Sequence, residues 1–245
     1  MKSDKPMNLP QSNIFEFKQL NAFLVRMTSK ARRDYQSLKE FTENASHEIQ
    51  TPLAVAKGKL ELLQQSNNLD ESQSELLDAS QKALTKISRL GQALSLLAKI
   101  DNQEFTAQHT IDFSTIVAHT LGIFEEIAAL KGVTLETKIQ TDVRVKMDAT
   151  LADILVTNLV KNAIQHNTEN GWIRIHLDEH QFEVTNSGEE LHFPPDQLFM
   201  RFKKSNQSKG SLGLGLAIVK KICDVSQVQV QYDYADRVHK ITVAL

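Results

Sequence analysis

The chain has 245 residues, of which 41% are hydrophobic and 24% charged, and its formal net charge is −2. These values are typical of a soluble globular protein with one large or two ordinary domains. The lack of a basic excess argues against nonspecific nucleic-acid binding. The single cysteine, Cys223, excludes an internal disulfide and is compatible with a reducing compartment. No run of 18 or more apolar residues occurs, so we expect no membrane contact by this segment.

The N-terminal region combines a polar end with a helical pattern. Residues 1–13 are polar and contain two prolines, which predicts a poorly ordered terminus. From Ile14 to Glu40 apolar residues recur at spacings of three, four and seven, which predicts a helix with a candidate coiled-coil seam. Glu16–Asn21 and Met27 resemble the end of a HAMP-type signalling linker; an ordinary amphipathic helix is the alternative. We assign residues 1–34 to a tail and linker helix.

The next stretch, Phe41–Leu63, continues the helical period with one apolar face. His47 lies about 200° around such a helix from both Ala45 and Ile49, so it is expected to face solvent, with Thr51 one turn further on. Pro52 cannot donate to the carbonyl of Glu48, which predicts a bend just after the histidine. By itself, an exposed histidine of this kind is more often a solvated surface residue than a functional one.

A second helix is predicted from about Asp70 to Lys99. Leucine, isoleucine and alanine repeat along it at heptad spacing, as in a coiled-coil seam. Two amphipathic helices joined by the turn at residues 64–69 form an antiparallel hairpin whose apolar stripes stay uncovered in one copy. A dimeric four-helix bundle covers them, so we predict a homodimer through residues 35–100. The polar residues 101–110 are expected to form a hinge.

Residues 111–245 have a mixed α/β pattern. Helices on one face of a mixed sheet predict a two-layer sandwich. The expected helices are Phe113–Leu130, a segment capped by Asp148 that runs to about Gln165, and Leu212–Asp224. The expected strands are Thr134–Ile139, Val143–Met147, Trp172–Leu177, Phe182–Thr185, Val228–Tyr232 and Lys240–Val243. Residues 187–210 have no clear period.

Three stretches of this half carry residues suited to phosphate chemistry. Asn158 and Asn162 share one helix face, and amide oxygens are Mg²⁺ ligands, although polar residues on a helix surface are the commoner explanation. Gly188 follows a strand and allows a sharp turn. Gly210, Gly213 and Gly215 precede a helix, whose N-terminal amides can approach phosphate oxygens. Their spacing excludes a dinucleotide-binding fingerprint.

In chain order, these stretches resemble the motifs of sensor histidine kinases. Ser46–Leu53 resembles the H-box, with His47 at the phosphoacceptor position, and Leu198–Lys204 resembles the F-box. The resemblance covers residues 35–245 and implies a Bergerat-type sandwich that binds ATP and Mg²⁺, with residues 187–210 as the ATP lid. It implies that Asn162 binds Mg²⁺ and that the other nucleotide-binding residues are Asn158, Asn186, Gly188, Lys204, Gly210, Gly213 and Gly215.

The sequence departs from the family pattern at four positions. Asn186 stands where an aspartate usually accepts a hydrogen bond from adenine, and Glu190 replaces a glycine. Gln165 replaces a lysine near the phosphates, and Gln50 replaces a basic residue. Since a neutral acceptor forms a weaker bond than a carboxylate, we expect weaker or less adenine-selective binding rather than a dead site. Lys203 and Lys204 are candidates for supplying positive charge.

The resemblance also implies a reaction sequence. His47 would accept the γ-phosphoryl group of ATP with Glu48 as general base, and would pass it to an aspartate of a response-regulator receiver domain. Thr51 would help place a water for dephosphorylating that regulator. The segment would be cytoplasmic, as the soluble part of a membrane-anchored sensor. Two alternatives stay open: another ATPase of the same nucleotide-binding superfamily, and a catalytically silent dimeric scaffold with a degenerate site.

Overall fold

The computed structural model describes residues 15–65, 69–102, 104–105, 109–203 and 212–245, without the side chains of residues 15, 16 and 31–49. The chain divides into two compact units, Met1–Asp78 and Ala79–Leu245. The first unit is helical. The second contains the remainder of the second helix and an α/β sandwich.

Two long helices form the N-terminal region. Helix α1, Phe15–Gln64, is continuous through Pro52, and helix α2 spans Glu71–Asp101. The start of α2 is fixed by a reciprocal cap, in which the Gln73 amide donates to Asp70 Oδ1 (2.7 Å) and the Asp70 amide donates to Gln73 Oε1 (3.2 Å). Gln64 Nε2, at the end of α1, donates to Asp78 Oδ1 at 3.3 Å. Both predicted helices are therefore present, while the dimeric bundle requires a second chain and stays a prediction.

The sandwich is built on a five-stranded mixed sheet. Its strand order is β2-β4-β5-β7-β6, in which β2 runs parallel to β4 and every other pair is antiparallel. A separate two-stranded sheet pairs β1 with β3. The strands are β1 Thr110–Asp112, β2 Thr134–Ile139, β3 Arg144–Lys146, β4 Trp172–Leu177, β5 Gln181–Ser187, β6 Gln229–Ala235 and β7 Val238–Ala244.

Three helices cover one face of this sheet. They are α3 Phe113–Leu130, α4 Ala149–Gln165 and α5 Gly215–Ser226. Asp112 caps α3 and Asp148 caps α4, each by accepting hydrogen bonds from first-turn amides. Alternate strand residues such as Ile175, Phe182 and Val243 are at most 1% exposed and fill the layer between sheet and helices.

The opposite face of the sheet is polar. Arg174 on β4 forms an ion pair with Glu136 on β2 (2.7 Å) and lies over the Trp172 ring, 4.3 Å from its centroid. Lys240 on β7 lies 3.8 Å from Glu183 on β5. This face of the sheet is therefore suited to contact with solvent. The observed architecture confirms the predicted helical region followed by a two-layer sandwich.

By length and composition, one helix of the described residues, α3, is apolar enough to cross a membrane. Its residues Phe113, Val117, Leu121 and Ala128 are buried in the core of the sandwich. The same hydropathy is expected of the core helix of a globular domain, which is the role that α3 has here.

Most element bounds agree with the predictions, and the differences have local causes. The short strand β1 was not predicted, because three residues carry too little pattern and are defined by pairing with β3. A 3₁₀ helix, Pro195–Phe199, lies within the stretch that has no clear period. Helix α5 begins three residues later than predicted, since Gly213 has a φ of +67°, which no α-helix accommodates.

The second half of α2 packs with the sandwich. Leu97 and Ile100 are 2% and 1% exposed and belong to the same hydrophobic core as Leu214 and Ile222. Asp101, at the end of α2, forms ion pairs with Lys221 on α5 and with Arg201, the latter at 3.6 Å. The predicted hinge at residues 101–110 falls partly outside the described residues and stays a prediction.

Candidate functional site

A pocket of about 530 Å³ opens between α2, α4, α5 and the end of β5. Its volume is within the range of sites that hold small molecules, roughly 300–1,000 Å³. Apolar side chains form part of its wall, and polar or charged side chains and two glycines form the rest. The lining residues used below are Arg89, Gln92, Ala93, Leu96, Asn158, Lys161, Asn162, Gln165, His166, Asn167, Asn186, Glu189, Lys203, Gly213, Gly215, Tyr232 and His239.

Helix α4 presents two amides to this pocket because its opposite face is apolar. Leu155 and Leu159 are fully buried, which turns Asn158 and Asn162 towards the cavity. Asn158 Nδ2 donates to the Ile154 carbonyl at 2.7 Å, so its oxygen is the atom left for other contacts. Within the described part of the chain, Asn162 has no side-chain hydrogen bond, which leaves its amide oxygen available.

The N-terminus of α5 forms the wall opposite these amides. Asn158 Oδ1 lies 3.1 Å from the position that a Cβ on Gly215 would take, so α4 and the start of α5 are in close contact. The residue before α5, Leu214, provides no side-chain cap for the first-turn amides. These amides and the positive end of the helix dipole therefore form a site suited to an anion.

Gly213 holds the loop before α5 in a conformation that a side chain would prevent. Its φ is +67°, and a Cβ there would lie 2.7 Å from the Lys203 carbonyl oxygen and 2.8 Å from the Phe202 carbonyl carbon. The Phe202 amide donates to the Gly213 carbonyl at 2.8 Å. The F-box segment and the glycine loop are thus joined backbone to backbone, with no room for a side chain between them.

The end of β5 closes another side of the pocket. Asn186 is 5% exposed, and its Nδ2 donates to the Ser187 carbonyl at 2.7 Å, which leaves Oδ1 as an acceptor. Gly188 follows, and a Cβ there would lie 2.4 Å from a carbon of the His239 ring. A glycine is therefore required at position 188 because the histidine packs directly against the backbone.

His239 joins this turn to the sheet. Its Nε2 is 2.9 Å from the Glu189 carbonyl oxygen, which can only accept, so Nε2 carries the proton. Its Nδ1 then accepts from the Tyr232 hydroxyl at 2.8 Å. Burial lowers the pKa of His239 and raises that of Tyr232. Burial is the main cause that lowers the pKa of His166, and a charge on His239 would lower it further, so protonation of one histidine disfavours protonation of the other.

A polar network fixes the C-terminal end of α4 to the sheet. Ser187 Oγ donates to Asn167 Oδ1 at 2.6 Å and accepts from the Trp172 amide at 2.9 Å. Asn167 Nδ2 donates to the Trp172 carbonyl at 3.1 Å. This network holds α4, β4 and β5 in register at the edge of the pocket.

The structure brings most of the predicted nucleotide-binding residues together. Asn158, Asn162, Asn186, Gly213 and Gly215 line one pocket, and Gly188 lies next to its lining residue Glu189. Lys204 and Gly210 lie outside the described residues, as do the side chains of His47 and Glu48. Thr51 lies on α1 with an exposed side chain.

Several lining residues were not predicted. They include the four α2 residues together with Lys161, His166, Asn167, Tyr232 and His239. Lys161, His166 and Asn167 lie within the stretch Asn158–Asn167 that suggested phosphate chemistry, although they were not singled out there. His239 and the α2 residues carry no such signal, because only the sheet register and the packing of α2 place them at the pocket.

Two family models match the chain. The His Kinase A (phospho-acceptor) domain matches residues 37–103, which include His47, Glu48 and Thr51. The Histidine kinase-, DNA gyrase B-, and HSP90-like ATPase model matches residues 147–244, which include every described pocket residue outside α2. The order of the two models is the order predicted from the sequence.

Full-length relatives extend the match across both regions. The chain is 26% identical over 239 residues to the sensor histidine kinase HprS of Escherichia coli, covering 94% of this chain and 52% of that protein. It is 30% identical over 218 residues to the heme sensor protein HssS of Staphylococcus haemolyticus, covering 82% of this chain and 47% of that protein. The chain thus spans about half the length of these curated relatives.

Solved structures show the same fold. The histidine kinase AdeS of Acinetobacter baumannii matches with a TM-score of 0.56 at 22% identity, covering 81% of this chain and 96% of that one. Full-length ShkA in complex with AMPPNP matches with a TM-score of 0.65 at 18% identity, covering 84% of this chain and 45% of that one. With both of its characteristic domains in family order, the chain belongs to the sensor histidine kinases of two-component systems.

Proposed function

We propose that this chain is an ATP-dependent histidine kinase that phosphorylates His47 and then transfers the phosphoryl group to an aspartate of a response-regulator receiver domain. The observation that carries the proposal is the pocket in which the Asn158 and Asn162 amides face the glycine-flanked N-terminus of α5. The family match over residues 37–103 supports the second half, since it includes the histidine that would accept the group.

The triphosphate would lie against the start of α5. First-turn amides that none of the described side chains caps, together with the helix dipole, stabilise phosphate oxygens. Lys161 and Lys203 line the same pocket, and Lys203 Nζ is positioned 4.8 Å from the centroid of the Phe193 ring. Phosphoryl transfer depends mainly on positioning and on neutralising charge, which are the properties of these groups.

Asn162 is the residue we propose as the protein ligand of Mg²⁺. Mg²⁺ takes few protein oxygens and keeps waters and phosphate oxygens as its other ligands. The amide oxygen of Asn162, half-buried in the pocket and without a competing side-chain bond among the described residues, fits that requirement. The ion would neutralise negative charge on the β- and γ-phosphates.

The adenine base would bind at the end of β5. The oxygen of Asn186 is left as an acceptor by the bond from its Nδ2 to Ser187, and can receive the exocyclic amino group of adenine. His239 keeps the adjacent turn in place through Glu189, so the acceptor is held by a rigid part of the sheet. An uncharged acceptor predicts a moderate preference for adenine, not a strict one.

In the helical unit, we propose that His47 attacks as a neutral imidazole and that Glu48 removes its proton. An unperturbed histidine has a pKa near 6.5, so at neutral pH most of it is in the nucleophilic form. Thr51 lies one turn on, with its side chain exposed on α1, where a receiver domain could reach it. We propose that Thr51 helps to orient the water that dephosphorylates the regulator.

We further propose that the chain acts as a homodimer through residues 35–100, in the cytoplasm, as part of a membrane-anchored sensor. Large apolar side chains stay exposed on both helices in the single chain, including Val55, Leu62 and Leu63 on α1 and Leu76 and Ile87 on α2. A second copy packed against them would remove this surface from water, which is the usual driving force for a helical bundle.

The proposal is tested by incubating the 245-residue chain with γ-labelled ATP and Mg²⁺. We expect label on the wild type that is lost in acid and survives alkali, label equal to wild type on His119→Gln, and none on His47→Gln. His119 is a matched control because it is exposed on α3, away from the pocket. Absence of label on the wild type at any ATP concentration would instead support the silent scaffold.

Thr51→Ala is expected to keep the label and to lose regulator dephosphorylation.

A further inference from the structure

Helix α2 supplies a wall of the nucleotide pocket. Arg89, Gln92, Ala93 and Leu96 line it at spacings of three and four, as one stripe of a helix does. Ala93 and Leu96 are half-buried, while Arg89 and Gln92 are exposed. The apolar pair therefore packs against the sandwich, and the polar pair faces the open part of the cavity.

The contacts further along α2 hold this stripe in place. Leu97 and Ile100 are buried in the core that also contains Leu214, the residue directly before α5. Asp101 is paired with Lys221 and with Arg201. Arg89 is thus presented to the pocket by a helix that is anchored by both apolar packing and ion pairs.

The charges around the pocket leave Arg89 available for an anion. The arginine, lysine and glutamate residues that line the pocket are Arg89, Lys161, Lys203 and Glu189. Lys203 lies over the Phe193 ring, whereas none of the described carboxylates lies within ion-pair distance of Arg89. Gln165 occupies the position where a lysine near the phosphates is usual in the family, so the α4 wall lacks one cation.

We propose that Arg89 is a phosphate-binding residue of the nucleotide site, contributed by α2. A guanidinium can donate two parallel hydrogen bonds to phosphate oxygens, and would supply from α2 the positive charge that Gln165 does not provide on α4. This inference rests on the proposed binding of ATP. It also couples triphosphate binding to the packing of α2 on the sandwich. Because Arg89 reaches the pocket only when α2 is packed there, each of the two stabilises the other.

The test is isothermal titration calorimetry of the whole chain with Mg·ATP, Mg·ADP and adenosine. For Arg89→Ala we expect ATP affinity to fall roughly tenfold, as for the loss of charge-assisted hydrogen bonds that are partly solvated, with a smaller loss for ADP and none for adenosine. Arg89→Lys should recover part of the loss. The matched control is Lys86→Ala, since Lys86 is exposed one turn earlier on α2 and does not line the pocket; its affinities should stay within twofold of wild type.

Each outcome has a distinct meaning. Equal ATP affinity in Arg89→Ala and wild type, or an equal loss for adenosine and ATP, would overturn the role of Arg89 and leave the proposed function intact. A wild type that binds no nucleotide would overturn the proposed function and the inference with it. A loss as large in Lys86→Ala as in Arg89→Ala would show a general effect of positive charge on α2 and would also overturn the specific assignment.

Discussion

Gly213→Ala isolates the geometry of the loop before α5. The left-handed conformation at φ +67° costs a residue with a Cβ about 1–2 kcal/mol. The new Cβ would also lie 2.7 Å from the Lys203 carbonyl oxygen, a backbone atom that cannot turn aside. If the loop shifts to relieve this contact, the bond from the Phe202 amide to the Gly213 carbonyl weakens, at a further 0.5–1.5 kcal/mol or so.

The summed cost of about 1.5–3.5 kcal/mol can lower either the stability of the fold or the affinity for ATP. If the loop keeps its conformation, the free energy of unfolding falls by that amount. If the loop shifts, the α5 amides move away from the phosphates and ATP binding weakens by up to the same free energy, roughly 10- to 400-fold. Urea denaturation and ATP titration of the same variant therefore measure the two parts.

Gly122 is a matched control for Gly213, because replacing it by alanine should change stability in the opposite direction. Gly122 lies in α3, and apart from its own helix backbone no atom of the described residues lies within 4 Å of an added Cβ. Gly122→Ala should therefore raise stability by roughly 0.5–1 kcal/mol through helix propensity and leave ATP binding unchanged. If Gly213→Ala changed neither stability nor affinity, the positive φ and the close backbone contact would not constrain the loop, and the reasoning would be refuted.

Three further predictions concern single side chains. Asn186→Asp should raise the preference for ATP over GTP about three- to tenfold, because a carboxylate only accepts and binds the adenine amino group with charge assistance; an unchanged ratio of the two dissociation constants would contradict this. Since burial lowers the pKa of His239, the unfolded chain binds protons more readily below about pH 6.5, so the free energy of unfolding should fall from pH 7 to 5, and His239→Gln should flatten this fall in urea titrations. Burial raises the pKa of the Cys223 thiol to about 12, so Ellman's reagent should react with it in urea and not in the native chain, and rapid native labelling would show that the thiol is accessible.

The local pattern of the sequence was sufficient for the fold class. Apolar periodicity predicted α3 with its observed bounds, and the cap Asp148 predicted the start of α4, because a helix start depends on side-chain bonds to amides two or three residues away. The strands that alternate most regularly, such as β2 and β4, were predicted with their observed bounds. The three-residue strand β1 was not predicted, since it is defined only by its pairing with β3, whereas β3 lies within the predicted strand Val143–Met147.

The sequence by itself supplied the candidate groups of the site, which are two asparagines one helical turn apart, glycines before a helix, and a histidine followed by an acid. Their joint meaning came from their resemblance, in chain order, to the motifs of the histidine kinases. Only the tertiary structure decided which distant residues complete the pocket. The pairing of β5 with β7 brings His239 next to Gly188. The packing of α2 on the sandwich brings Arg89 to the pocket. These contacts join residues about 50 or more positions apart, and no local period records them, because they depend on how whole elements pack rather than on the residues beside them.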